Sequence, residues 1–296
     1  MSKKMMKRIV CNAVATLSAV ACLGMATSCE TAHPEVEMTL TFQGETYVLE
    51  YELYRNVAPS TVKHFLWLAE YGYYDGLCIH DYDTSAKRMY TGAYTADANE
   101  ESGLKYKSYY EEIAKFENYA DFPVSVWANE AMTDPLYTVY GEFENNGFVV
   151  ENGTKKQTYG SLTMYYTEKS TAAKVYAPYL SGETEGAAVR QYKYNSATSQ
   201  FFISLSTTSS SSVSYCTFAT LSEDSVEVLE SLEQAIADFI AEEYGDDATA
   251  TDFIHKEKVT IDTDDAYEDA EVLTDAKAFE VPNAEIQITK VYVKKY

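Results

Sequence analysis

The chain has 296 residues, with 23 Lys and Arg against 46 Asp and Glu, for a formal net charge of −23. That excess repels a phosphate backbone and excludes nucleic acid as a partner. Five cysteines without a CxxC pair and four scattered histidines leave no zinc-ligand spacing, so no metal or other cofactor is expected.

Lys3, Lys4, Lys7 and Arg8 precede an apolar run from Ile9 to about Met25, the pattern of an export signal over residues 1–28 that is set apart from the fold. Ala26-Thr27-Ser28-Cys29 is similar to a bacterial lipobox, with alanine in place of the more usual leucine. Cys29 is therefore expected to begin the mature chain and to carry lipid, anchoring an exported protein at the bacterial membrane or cell surface. A plain signal peptide or one anchoring helix is the alternative, because the run is only marginally long enough to span a bilayer. Without residues 1–28, which hold four basic and no acidic side chains, the net charge falls to −27.

Met38, Leu40 and Phe42 alternate with polar residues, Gln43-Gly44 supplies a turn, and Tyr47, Leu49, Tyr51 and Leu53 resume the alternation, which predicts a hairpin with one buried face. A helix begins at Pro59. Val62, Phe65, Leu66 and Ala69 form its apolar face, and Gly72 stands where a C-terminal cap belongs. Strand-like runs follow at Leu77 to Tyr82, Ser161 to Tyr166, Phe201 to Leu205 and Cys216 to Leu221. A second helix is expected to start at Asp224, where Asp224 and Glu227 have capping-box spacing, with Val226, Leu229, Ile236, Phe239 and Ile240 on its core face. In the last strand Ile286 and Ile288 give way to Val291 and Val293, a phase shift that indicates a bulge near Lys290 or burial on both faces.

Three expansions, near 94–140, 167–194 and 242–281, exceed ordinary connections. The first contains a helix-like piece from Tyr109 to Phe116, and the second reads as a loop around Ser181-Gly182. No linker or repeat marks a second domain. The acidic run from Asp262 to Asp269 lacks the glycine and distal glutamate of a calcium loop, and solubility is its simpler role. Cys78 and Cys216 could pair after export, but two buried free thiols are expected. The 27 tyrosines either populate strands, which favour them, or form a contact surface for peptide or sugar.

Asn195-Ser196-Ala197-Thr198-Ser199-Gln200-Phe201-Phe202-Ile203 reproduces a nine-residue signature of bacterial cyclophilins. Three further blocks occur in the family's order: Ala58-Pro59-Ser60-Thr61-Val62 through Gly72-Tyr73-Tyr74-Asp75-Gly76 to Ile79-His80; Gly141-Glu142-Phe143 with Asn146-Gly147; and Gly160-Ser161-Leu162-Thr163-Met164. The chain thus resembles cyclophilin-type peptidyl-prolyl cis-trans isomerases. The resemblance implies a mostly β fold over residues 29–296: a closed antiparallel barrel capped by two helices and decorated by the three insertions.

The resemblance also implies a site. Gln200 would hold the backbone of a proline-containing peptide and Phe202 would floor the proline socket. Met89 corresponds to a socket methionine, Tyr215 falls near the family's His or Tyr at the socket edge, and Met164 belongs to the altered Met-Ala block. His80 matches a histidine expected to pack beneath the site. Where the family places the arginine that donates to the twisting prolyl amide, this chain has Asp81. An ionised carboxylate has no proton to give, and loss of one such donor commonly costs about 10²–10³ in rate. Arg88 could supply a guanidinium from another position. The expected function is therefore a prolyl isomerase-like protein binding proline-containing segments of exported clients, with catalysis weakened. A non-catalytic peptide-binding or chaperone lipoprotein is the alternative, and a carbohydrate-binding surface lipoprotein a more distant one.

Overall fold

The computed structural model describes residues 31–148, 155–167, 172–179, 186–211, 213–261 and 275–296. The export segment with Cys29, the Ser181-Gly182 loop and the acidic run at 262–269 lie outside the described residues. The expected hairpin is β1 (Glu35–Phe42) and β2 (Glu45–Leu53), and burial alternates residue by residue along β1. Gln43 and Gly44 both take positive φ, 50° and 82°, the two-residue turn whose twist matches that of the flanking strands.

Helix α1 (Pro59–Glu70) follows, then short strands β3 (Leu77–Cys78), β4 (Asp81–Asp83), β5 (Arg88–Thr91), β6 (Tyr94–Ala96) and β7 (Leu104–Tyr106), and the five-residue helix α2 (Tyr109–Ile113). The second half supplies β8 (Leu162–Met164), β9 (Lys174–Pro178), β10 (Ala187–Gln191), β11 (Phe201–Ser204), β12 (Thr217–Leu221), α3 (Glu223–Tyr244), β13 (Ile254–Ile261), β14 (Asp275–Pro282) and β15 (Ile286–Lys295). Nine strands form one curled antiparallel sheet in the order β3-β15-β1-β2-β12-β8-β11-β5-β4.

The expected barrel is not strictly closed, and the reason lies between its two edges. Ile79 donates its N–H to the Ile286 carbonyl on one edge, while His80 donates to the Tyr90 carbonyl on the other. One bent segment, 77–83, thus pairs with both edges in turn, and the ladder is interrupted where it changes partner. The phase shift in the last strand is a bulge: Thr39 pairs with Lys290 and Leu40 with Ile288, leaving Thr289 without an opposite residue.

Phe65 of α1 packs against Tyr74, Phe201 and Phe218, while Leu229, Leu232, Ile236 and Ile240 of α3 join the same core. The capping box expected at Asp224 does not form. Helix α3 starts one residue earlier behind Ser222, and the Ser225 hydroxyl instead accepts the Glu50 N–H, tying the helix to β2. The insertions cover what the sheet leaves bare. Phe122 of the first packs edge-on against His64 and Trp67, and Phe116 stacks on Tyr71 at 4.3 Å, so both sides of α1 are buried. The second, read as a loop, contains the β9–β10 hairpin, and Trp127 bonds to Tyr176 across the two insertions. The third ends in the β13–β14 hairpin.

Many tyrosines are core residues: Tyr51, Tyr73, Tyr74, Tyr94, Tyr109 and Tyr192 are fully buried. Cys78 and Cys216 are buried free thiols, and burial pushes the Cys78 thiol up to about 12. No helix among the described residues is long and apolar enough to cross a membrane.

Candidate functional site

The site's footing is a set of polar residues that lock the signature segment to its neighbours. Asn195 donates to the Asn146 side chain at 3.2 Å and to the Gln191 carbonyl, while Asn146 donates back to Asn195 at 2.8 Å and to the Gly141 carbonyl. Ser199 donates to the Gly92 carbonyl at 2.6 Å and lies 3.0 Å from the Tyr73 hydroxyl. Gly92 has φ of 101°, and a Cβ there would meet the Ser199 carbonyl at 2.3 Å, so the end of β5 passes directly against the residues that precede Phe201. Glu142 accepts the N–H groups of Ser60 and Thr61, each at 2.9 Å. Its carboxylate caps the N-terminus of α1, where Ala58 has no side-chain acceptor to offer.

Strand alternation then sorts the predicted site residues onto two faces. In β11, Phe201 and Ile203 join the main core, whereas Phe202 belongs to a separate cluster with Tyr90, Tyr165 and Tyr215. Phe202 lies opposite Tyr90 on β5, their rings 5.2 Å apart, and Tyr215 meets Phe202 edge-on at 6.1 Å. Two residues before Tyr90, Arg88 sets its guanidinium carbon 4.4 Å from the centre of the Phe202 ring and 5.5 Å from that of Tyr215. Its Nη1 donates to the Tyr90 hydroxyl at 3.2 Å. Burial pushes the Tyr90 phenol up to about 12 against the opposing pull of Arg88, so at neutral pH it keeps its proton. Under this lid of rings and guanidinium, Phe202 is 0% exposed.

Met89 is the neighbour that β alternation turns away. It is buried in the main core beside Ile203, not against Phe202, so the socket methionine expected at this position is not part of the cluster. Met164 likewise lies in the main core. Gln200 is buried, and its carbonyl accepts the Tyr165 N–H at 3.0 Å. The His80 ring packs between Tyr94 and Phe279, at 4.9 and 5.1 Å, in a cluster separate from that of Phe202.

Asp81 is committed elsewhere. It is 3% exposed, and its Oδ1 accepts the main-chain N–H of Glu280 on β14 at 3.0 Å. Sequence reasoning did not single out Tyr90 or Tyr165. The period-2 signal that relates Arg88 to Tyr90 was present in β5 and identifies Tyr90, whereas Tyr165 is brought in by the β8–β11 pairing.

Two solved structures of a cyclophilin type peptidyl-prolyl cis-trans isomerase from Cryptosporidium parvum are similar to this chain. One shares 15% identity, covering 89% of this chain and 99% of that chain at a TM-score of 0.41. The other, determined in the presence of the dipeptide Ala-Pro, shares 14% identity over 88% and 99% at 0.40. No curated protein matches. The family model described as cyclophilin type peptidyl-prolyl cis-trans isomerase/CLD matches residues 37–259, a span that includes every strand of the curled sheet except the start of β1 and the whole of β15, and the chain belongs to that family.

Proposed function

We propose that the protein binds proline-containing segments of exported proteins over Phe202, and that it accelerates their isomerisation weakly. The observation that carries this reading is the division of labour between two positions. The acidic residue at the family's arginine position is spent on holding β14, while the aromatic cluster that would receive a proline ring is intact and covered by Arg88. Rotation about the prolyl amide has a barrier of about 18–20 kcal/mol, lowered by a donor that stabilises the twisted form. A carboxylate cannot be that donor. The lipid anchor proposed at Cys29 would hold this activity beside newly exported chains.

A second reading is favoured by Arg88 itself, whose guanidinium is the charged donor lying against Phe202. If it moves to the prolyl amide when a peptide enters, the donor has changed position and turnover survives. A protease-coupled isomerisation assay on an X-Pro peptide tests both. The first reading expects little acceleration by the wild type, unaffected by Arg88→Ala. Activity that disappears with Arg88→Ala establishes the second. Full family-level activity that persists in Arg88→Ala overturns both.

A further inference from the structure

Basic side chains of the described residues divide between carboxylate partners and aromatic faces, and Arg88 stands in the second group with Lys107, Lys155 and Arg190. Lys115, Lys290, Lys294 and Lys295 each meet a carboxylate within 3.0 Å. Arg88, partly buried on a chain with twice as many acidic as basic residues, pairs with no carboxylate of the described residues. Its contacts are the Tyr90 hydroxyl, the Tyr215 side chain and the Phe202 ring face. A guanidinium has five N–H donors in a planar fork suited to a carboxylate, so most of its directional capacity is unspent.

We propose that Arg88 is a selectivity residue that reads a carboxylate next to proline, so that the site prefers segments with Glu or Asp directly before or after the proline. The inference rests on Phe202 being the seat of the proline ring. For that ring to reach Phe202, the guanidinium must leave the aromatic face and forfeit its cation–π contact. A neutral segment offers nothing in exchange. A basic one adds like-charge repulsion. An acidic side chain beside the proline supplies two parallel charge-assisted hydrogen bonds to the displaced fork, which Tyr90 and Tyr215 keep within reach. The protein's net negative charge opposes acidic peptides at long range, but at physiological salt that field is screened beyond about 8 Å, whereas a contact pair is not.

The test uses fluorescence anisotropy of labelled, blocked peptides at physiological salt: Ala-Glu-Pro-Ala and Ala-Ala-Pro-Glu, their Gln counterparts, and Ala-Lys-Pro-Ala. Wild type should bind at least one Glu peptide about tenfold more tightly than its Gln counterpart, with the Lys peptide weakest, as expected for one added charge-assisted contact. Arg88→Gln should erase that preference while the Gln peptides still bind, and Arg88→Lys, a point charge without the fork, should keep part of it. Phe202→Leu, which retains an apolar side chain, reports whether binding uses the proposed seat. Binding that weakens in Phe202→Leu but is indifferent to Glu against Gln, or a preference that survives in Arg88→Gln, overturns the inference while leaving the binding site standing. Binding of no peptide, or binding unaffected by Phe202→Leu, overturns the inference together with the reading on which it rests.

Discussion

Asp81 and Glu280 hold one another's segments in place: Asp81 Oδ1 accepts the Glu280 N–H at 3.0 Å, and the Glu280 carboxylate accepts the N–H and hydroxyl of Thr84 at 2.8 and 2.9 Å. The clamp joins the end of β4 to the hairpin of the third insertion. An arginine at position 81 has no acceptor to offer β14. Asp81 thus serves as an acceptor that docks the hairpin of the third insertion.

Asp81→Asn keeps an acceptor oxygen and should retain most of the stability. Asp81→Ala leaves the Glu280 N–H without this acceptor and should cost about 1–3 kcal/mol. Asp81→Arg should cost at least as much, because a buried guanidinium replaces an acceptor. Amide hydrogen exchange at Glu280 checks this directly: protection should survive in the Asn variant and fall in the other two. Unchanged protection in Asp81→Ala would show that the hairpin docks without the clamp.

Glu142 and His64 make opposed contributions to pH dependence. Burial raises the Glu142 carboxyl to about 7 from an ordinary value of 4.5, outweighing the hydrogen bonds from Thr61 and Ser60. The folded state therefore holds a proton that the unfolded state releases, so this contribution is full below pH 4.5 and is lost as pH rises through about 7. Burial lowers His64 to about 3 from 6.5, so its contribution is present above pH 6.5 and is lost as pH falls toward 3. The two partly cancel between pH 4.5 and 6.5. Denaturant unfolding of wild type and Glu142→Gln at pH 5 and pH 8 separates them. The stability gap between the two proteins should be larger at pH 5, and a gap independent of pH would mean that Glu142 titrates normally.

Gly92→Ala should be severe. The added methyl carbon would stand 2.3 Å from the Ser199 carbonyl and 2.8 Å from the Gln200 Cα, both backbone, and the φ of 101° disfavours any side chain. Backbone must shift, and a loss of roughly 2–4 kcal/mol is expected, in the range of strain and overpacking effects. Thermal unfolding measures it. A variant as stable as wild type would show that β5 and the Ser199–Gln200 segment can separate freely.

The hairpin, both long helices and the bulge beside Lys290 were legible because each rests on a local period or a turn residue. The signature blocks were legible too, and the structure explains their residue types: Asn146, Asn195, Ser199 and Glu142 are locks between segments distant in sequence. The composition of the Phe202 face was not. A single step of phase in β5 decides whether Arg88 and Tyr90 or Met89 meets Phe202, and alignment to a family motif across an expanded loop did not resolve that step. Nor could the partner of Asp81 be found locally, because it arrives from 199 residues away.

Arg88→Ala carries the most information about the site. Phe202 is fully buried, so Phe202→Ala should cost about 3–5 kcal/mol in stability, and its effect on binding is confounded by unfolding. Arg88 is partly buried and contributes no backbone contact beyond the ladder, so its truncation leaves the core intact while uncovering the Phe202 ring face. Affinity for a neutral X-Pro peptide should rise severalfold, because the peptide no longer has to displace a guanidinium whose contact is worth roughly 0.5–2 kcal/mol. Titration calorimetry with Ala-Gln-Pro-Ala checks the direction. A weaker complex would show that Arg88 assists the proline instead of covering its seat.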